Sequence, residues 1–152
     1  MESVVLISVA GSILAVFVPA FVRDLHASRL AEPMEGLSRI ARSATAIAAE
    51  HRAYPESVGL TPEEVPAGES VQDSEGTWDN PTWKALGFRM VRAHHFSFAF
   101  ESNKTQTGAQ FTARAHGDLD GDGIYSTFRV SGEVAGTEKP VIYPIEMDRE
   151  VE

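Results

Sequence analysis

No cysteine occurs among the 152 residues, which excludes disulfide scaffolds, thiolate zinc sites and cysteine nucleophiles together. Basic residues are also scarce. Thirteen Lys and Arg stand against 22 Asp and Glu, a formal net charge of −9, so direct binding to nucleic acid through phosphate neutralisation is not expected. The usual catalytic motifs are missing as well. There is no Gly-x-Ser-x-Gly elbow, phosphate-binding loop, His-Glu-x-x-His or dinucleotide fingerprint, and the chain reads as a non-enzymatic protein. Its length allows one small core.

Charge is also absent from one long run, residues 3–22 (SVVLISVAGSILAVFVPAFV). Twenty residues of helix cover about 30 Å, the thickness of a bilayer's hydrocarbon core. A secretory signal peptide cleaved after Ala20 is the competing reading. Against it, only Met1 and the acidic Glu2 precede the run, where a signal peptide carries Lys or Arg. A buried core helix fits less well, because every face of the segment is apolar.

Beyond the run, Leu30, Met34, Leu37, Ala41, Ala44 and Ala48 recur at spacings of three and four, with Ile40 and Ile47 beside them. That is the stripe of an amphipathic helix. Arg29, Glu32, Glu35, Arg39, Arg42, Glu50 and Arg52 make its polar face, and Pro55 lies just past its end. Pro19 and Pro33 are expected to bend the helix without ending it. The pattern predicts one helix over residues 1–53, about 75 Å long at the standard rise. Its first half, with a transmembrane and assembly segment at 3–22, is apolar. Its amphipathic second half packs on a globular head.

Residues 54–80 are rich in turn formers and acids and predict an irregular surface loop. A short helix is expected over 81–86, with Asn80 as N-cap, Pro81 at the first helical position and Gly87 closing it. The period then changes to two. Phe96, Phe98 and Phe100 alternate with smaller residues in a half-buried strand, and further strands are expected at 111–116, 126–134 and 141–147, the last interrupted by Pro144. These form an antiparallel sheet within 94–147. The predicted fold class is α+β: a long N-terminal helix packed on a small antiparallel sheet, the head occupying 54–152.

The spacing Glu2, Gly11, Pro19, Ala20, Phe21 inside an apolar helix resembles the N-terminal segment of type IV pilins and pseudopilins. That family has a helix glutamate, a glycine nine residues on, a proline eight further, then a small residue and an aromatic. The likeness is sharp up to about residue 30 and extends in outline over the chain. It implies a structural subunit of a pilus or pseudopilus filament, polymerising with copies of itself or other pilins through residues 3–22. Glu2, Gly11, Pro19 and Phe21 are then the assembly residues, and Glu2 pairs with the N-terminal amine of a neighbour. The head would face the periplasm from the inner membrane before joining an extracellular or periplasmic filament. Family members carry a basic leader ending in Gly, then usually Phe-Thr-Leu and one more residue before the glutamate. Met1 falls on that last position, so the resemblance implies a start further upstream.

Asp118-x-Asp120-x-Asp122-Gly123 is the second constellation. Three carboxylates at alternate positions of a tight loop can converge on one hard cation, and the Ile124 carbonyl and Ser126 hydroxyl fall where calcium loops supply further oxygens. Arg129 stands where an EF-hand has its bidentate glutamate, so an EF-hand domain is not expected. The plain alternative is an acidic hairpin turn that needs no metal. His94 and His95 are adjacent in a strand and point to opposite faces, which rules out chelation of one ion by the pair. Two functional alternatives stand beside the filament subunit: a monomeric membrane-anchored binding protein using the loop from Glu56 to Trp78, and a secreted domain freed after Ala20.

Overall fold

The computed structural model describes residues 30–147. The chain divides into two compact units, Met1–Ala31 and Glu32–Glu152, and the fold below is that of the second. Helix α1 is described over residues 30–51. It is followed by β1 (Val58–Thr61), the short helix α2 (Pro81–Leu86), β2 (Phe96–Lys104), β3 (Gly108–Gly117), β4 (Ser126–Ala135), β5 (Val141–Ile142) and β6 (Glu146–Met147). The strands form one antiparallel sheet in the order β1-β2-β3-β4-β5, with β6 also paired to β4.

Alternation along β2, β3 and β4 gives this sheet two unlike faces. Phe96, Phe98, Phe100, Phe111, Phe128 and Val130 are buried on the inner face. The outer face carries polar residues, including an Arg114–Glu101 ion pair of 2.6 Å and an Arg129–Glu146 pair. Such a sheet needs one cover. Leu37, Ile40, Ala41, Ala44 and Ala48 of α1, none more than 2% exposed, provide it. Gly36 sets how closely the helix lies: a Cβ there would come within 2.5 Å of Phe98 Cε1. Glu32 fixes the helix lengthwise, accepting from the backbone N–H groups of His95 and Phe96 at 2.9 and 3.0 Å.

A second aromatic cluster extends the core past the helix. Trp78 packs against Trp83 and Phe88 at centroid distances of 5.4 Å, and Phe88 meets Phe98 at 5.0 Å. Helix α2 places Trp83 there. Asn80 accepts from the Thr82 N–H, Pro81 opens the helix, and Gly87 ends it in the left-handed region at φ 59°.

The expected fold class, a long helix on a small sheet, is overturned. The described residues hold more sheet than helix: six antiparallel strands against α1 over 30–51 and the short α2. Two physical reasons account for the difference. Val58–Thr61, inside the expected loop, adds a strand by pairing with β2. Strands β2 and β3 also run on through Ser102 to Lys104 and Gly108 to Gln110, because a sheet with one solvated face accepts polar residues. The part of the expected helix before residue 30 lies outside the described residues. Among the described residues no helix is long and apolar enough to cross a membrane.

Replacing Gly36 tests the packing of α1 with an unusual sign. Intrinsic propensity favours Ala over Gly in a helix by about 0.8–1.0 kcal/mol, whereas overpacking against Phe98 costs about 1–3 kcal/mol. Gly36→Ala should therefore lower the melting temperature. A higher melting temperature would show that α1 does not rest on Phe98 as closely as described.

Candidate functional site

Asp118, Asp120 and Asp122 lie in the eight-residue connection between β3 and β4. Each offers a carboxylate oxygen, and the three oxygens lie within 4.8 Å of one another. The backbone explains the convergence. Asp118 Oδ1 accepts from the Gly121 N–H at 2.8 Å and Oδ2 from the Gly123 N–H at 3.0 Å. Asp120 accepts from the Asp122 N–H at 3.1 Å, and Asp122 from the Ile124 N–H at 2.7 Å. Gly121 and Gly123, at φ 79° and 85°, supply the left-handed turns that fold the loop back on itself. Asp118 is buried while Asp120 and Asp122 are exposed. The first carboxylate thus organises the loop and the other two reach solvent.

Ile124 exposes its side chain, and Ser126 is buried at the start of β4 opposite Gly117. The loop is braced from outside by the Gly68 N–H, which donates to the Asp118 carbonyl at 2.7 Å. His116 stands two residues before the cluster, bonded to the Thr127 hydroxyl at 2.9 Å. Burial, then the Arg114 charge, hold its pKa below the usual histidine range, so it is neutral at pH 7. It therefore adds no positive charge to compete with a cation. Three carboxylates this close repel one another, and a hard divalent ion taking one oxygen from each, with water completing its shell, relieves that repulsion.

The two histidines behave differently from each other. His95 turns to Glu32, with Nδ1 3.3 Å from Oε2. His94 is fully buried, and its Nδ1 lies 2.8 Å from the Phe96 carbonyl, which can only accept, so Nδ1 carries a proton. Its Nε2 lies 2.8 Å from Asp73 Oδ2, an oxygen that also accepts from Trp78 Nε1 at 2.5 Å. A hydrogen bond joins Nε2 and Oδ2, and both side chains are closed off from water. This knot was not legible in the sequence, since Asp73 and His94 are 21 residues apart. It ties the loop before α2 to the entry of β2. Above it, Asp73 to Asp79 and Trp83 to Val91 enclose a groove of about 650 Å³. Lys84 and Asp79 stand on its rim as an ion pair of 3.1 Å.

The assembly residues expected from the sequence, Glu2, Gly11, Pro19 and Phe21, lie outside the described residues. No family model, curated protein or solved structure matches the chain.

Two measurements test these sites. Removing the Asp73 carboxylate leaves His94 Nε2 and the Trp78 indole N–H without their hydrogen-bond partner, so Asp73→Ala should cost about 1–3 kcal/mol for each group in urea unfolding. A loss under about 1 kcal/mol would mean that Asp73 does not hold these two groups as described. For the acidic loop, calcium should raise the melting temperature. The stabilisation is about 2.7 kcal/mol at a hundredfold excess over a dissociation constant of roughly 0.1–1 mM. Asp120→Asn should remove most of that response, yet cost little stability in chelator, since it relieves repulsion. Identical melting curves in chelator and in about 10 mM calcium would leave the loop as a turn without a metal.

Proposed function

We propose that this chain is a non-enzymatic structural subunit of a type IV pilus or pseudopilus-like filament. Residues 3–22 hold it in the inner membrane and then mediate polymerisation, and the acidic sheet head faces the periplasm and later the filament surface. The observation that carries this reading is the order Glu2, Gly11, Pro19, Phe21 within a twenty-residue run without charge. A carboxylate at the edge of such a run is costly in lipid unless it meets a cation, and a neighbour's terminal amine supplies one. Gly11, Ser8 and Ser12 are small enough to let apolar helices approach closely. The Asp118 loop would take calcium and stiffen the head outside the cytoplasm.

A second reading is favoured by one specific feature, the groove bounded by Asp73 to Asp79 and Trp83 to Val91. It involves the end of the loop from Glu56 to Trp78, where a monomeric membrane-anchored protein would bind a soluble partner.

Glu2→Ala separates the two. In a filament subunit it should abolish incorporation into filaments while membrane insertion stays intact, because removing a charge makes insertion easier. Filament incorporation at the wild-type level would remove Glu2 from assembly, and absence of filaments from the wild type under expression of the whole system would favour the monomeric binder.

A further inference from the structure

Met34 breaks the pattern of its helix. It belongs to the same stripe as Leu37, Ala41, Ala44 and Ala48, yet it is 43% exposed while they are almost wholly buried. It stands beside a groove of about 650 Å³ that runs between α1 and the turn joining β5 to β6. Ile142 and Tyr143, 40% and 45% exposed, form the opposite wall, and the inner face of the sheet forms the floor. Val130 on the floor is itself buried, so the apolar surface left open lies on the two walls.

Two charges of opposite sign border the groove on the helix side, Glu35 and Arg42. Seven residues apart, they lie on one side of α1 but about 10.5 Å apart along its axis, too far to pair with each other. Arg42 donates only to the Ser38 carbonyl of its own helix, at 3.2 Å. Among the described residues neither charge has an ion-pair partner. The midpoint between them falls at Ser38, an exposed small residue. Arg39, next to it, is turned away with its guanidinium over the Phe88 ring at 5.1 Å.

We propose that this groove is the interface of a two-fold pair of heads, with α1 of one copy crossing α1 of the other in antiparallel fashion at Ser38. The charges specify this occupant and this direction. With the helices antiparallel, Glu35 of each copy meets Arg42 of the other, so a single operation satisfies four charges and closes the assembly. With the helices parallel about a two-fold axis, Glu35 would face Glu35 and the contact would repel. In this crossing Met34 of each copy lies just outside the Glu35–Arg42 contact, toward Ser43 of the other copy, and is removed from water there. The pairing goes beyond the filament reading and does not rest on it, since every residue involved belongs to the unit Glu32–Glu152.

The absence of cysteine makes the test direct. In the full chain in mild detergent, Ser38→Cys should form a disulfide-linked dimer on gentle oxidation, while Lys104→Cys, in an exposed position at the far end of β2, should not. Sedimentation should show a dimer that Glu35→Arg or Arg42→Glu alone weakens about tenfold or more. The double variant, with both charges exchanged, should bind itself within about threefold of the wild type. Residues 3–22 are the same in all of these proteins, so differences between them report on the head. A monomeric wild type, a dimer indifferent to the single charge reversals, or a Ser38→Cys variant that stays uncross-linked while the charge reversals matter would each overturn the two-fold pair. The last of these would indicate a head-to-tail contact instead.

Discussion

Phe96, Phe98 and Phe100 turn three rings to one side of a single strand, and the rest of the unit is arranged to cover them. Each ring fully removed from water contributes about 1.5–3 kcal/mol relative to exposure, so leaving the row open would cost much of the stability of a small domain. Helix α1 covers the row from above, with Gly36 allowing contact at the level of Phe98. Trp78, Trp83 and Phe88 close it from the side where the helix does not reach. The polar outer face follows from the same constraint, because a sheet that buries one face has no need to bury the other.

Signals carried by neighbouring residues were the legible ones. The alternation of Phe and small residues marks β2, the turn at Asn80-Pro81 and the glycine at 87 bracket α2, and the three spaced aspartates mark a loop that the structure folds into a cluster. What was hidden depends on partners far along the chain. Nothing in Val58-Gly59-Leu60-Thr61 distinguishes a strand from loop until β2 lies beside it. The burial of His94 depends on Asp73, and the exposure of Met34 on how far the segment from Ile142 to Ile145 stands off from α1. Periodicity predicts which residues can be buried, whereas area decides which are. That difference is why periodicity alone understates the sheet.

The two acidic features use negative charge in opposite ways. Asp73 is surrounded by donors, with its partners fixed and water excluded, and works as a structural tie. In the Asp118 loop the backbone N–H groups bind several carboxylate oxygens and hold one oxygen of each aspartate within 4.8 Å of the others. A net charge of −9 therefore says little by itself. The distribution of donors around each carboxylate separates a buried fastening from a cluster open to solvent.

Glu32 has an effect beyond holding the helix in place. Strand β2 pairs with β1 only from Phe98 onward, so its entry at His95 and Phe96 would otherwise present backbone donors on that side. A carboxylate from the overlying helix occupies both donors. An intruding strand from another molecule finds no hydrogen-bonding template there, and would have to displace a charged acceptor to create one. That plugged edge is a safeguard against runaway cross-β stacking, placed where the aromatic row makes the segment most prone to it.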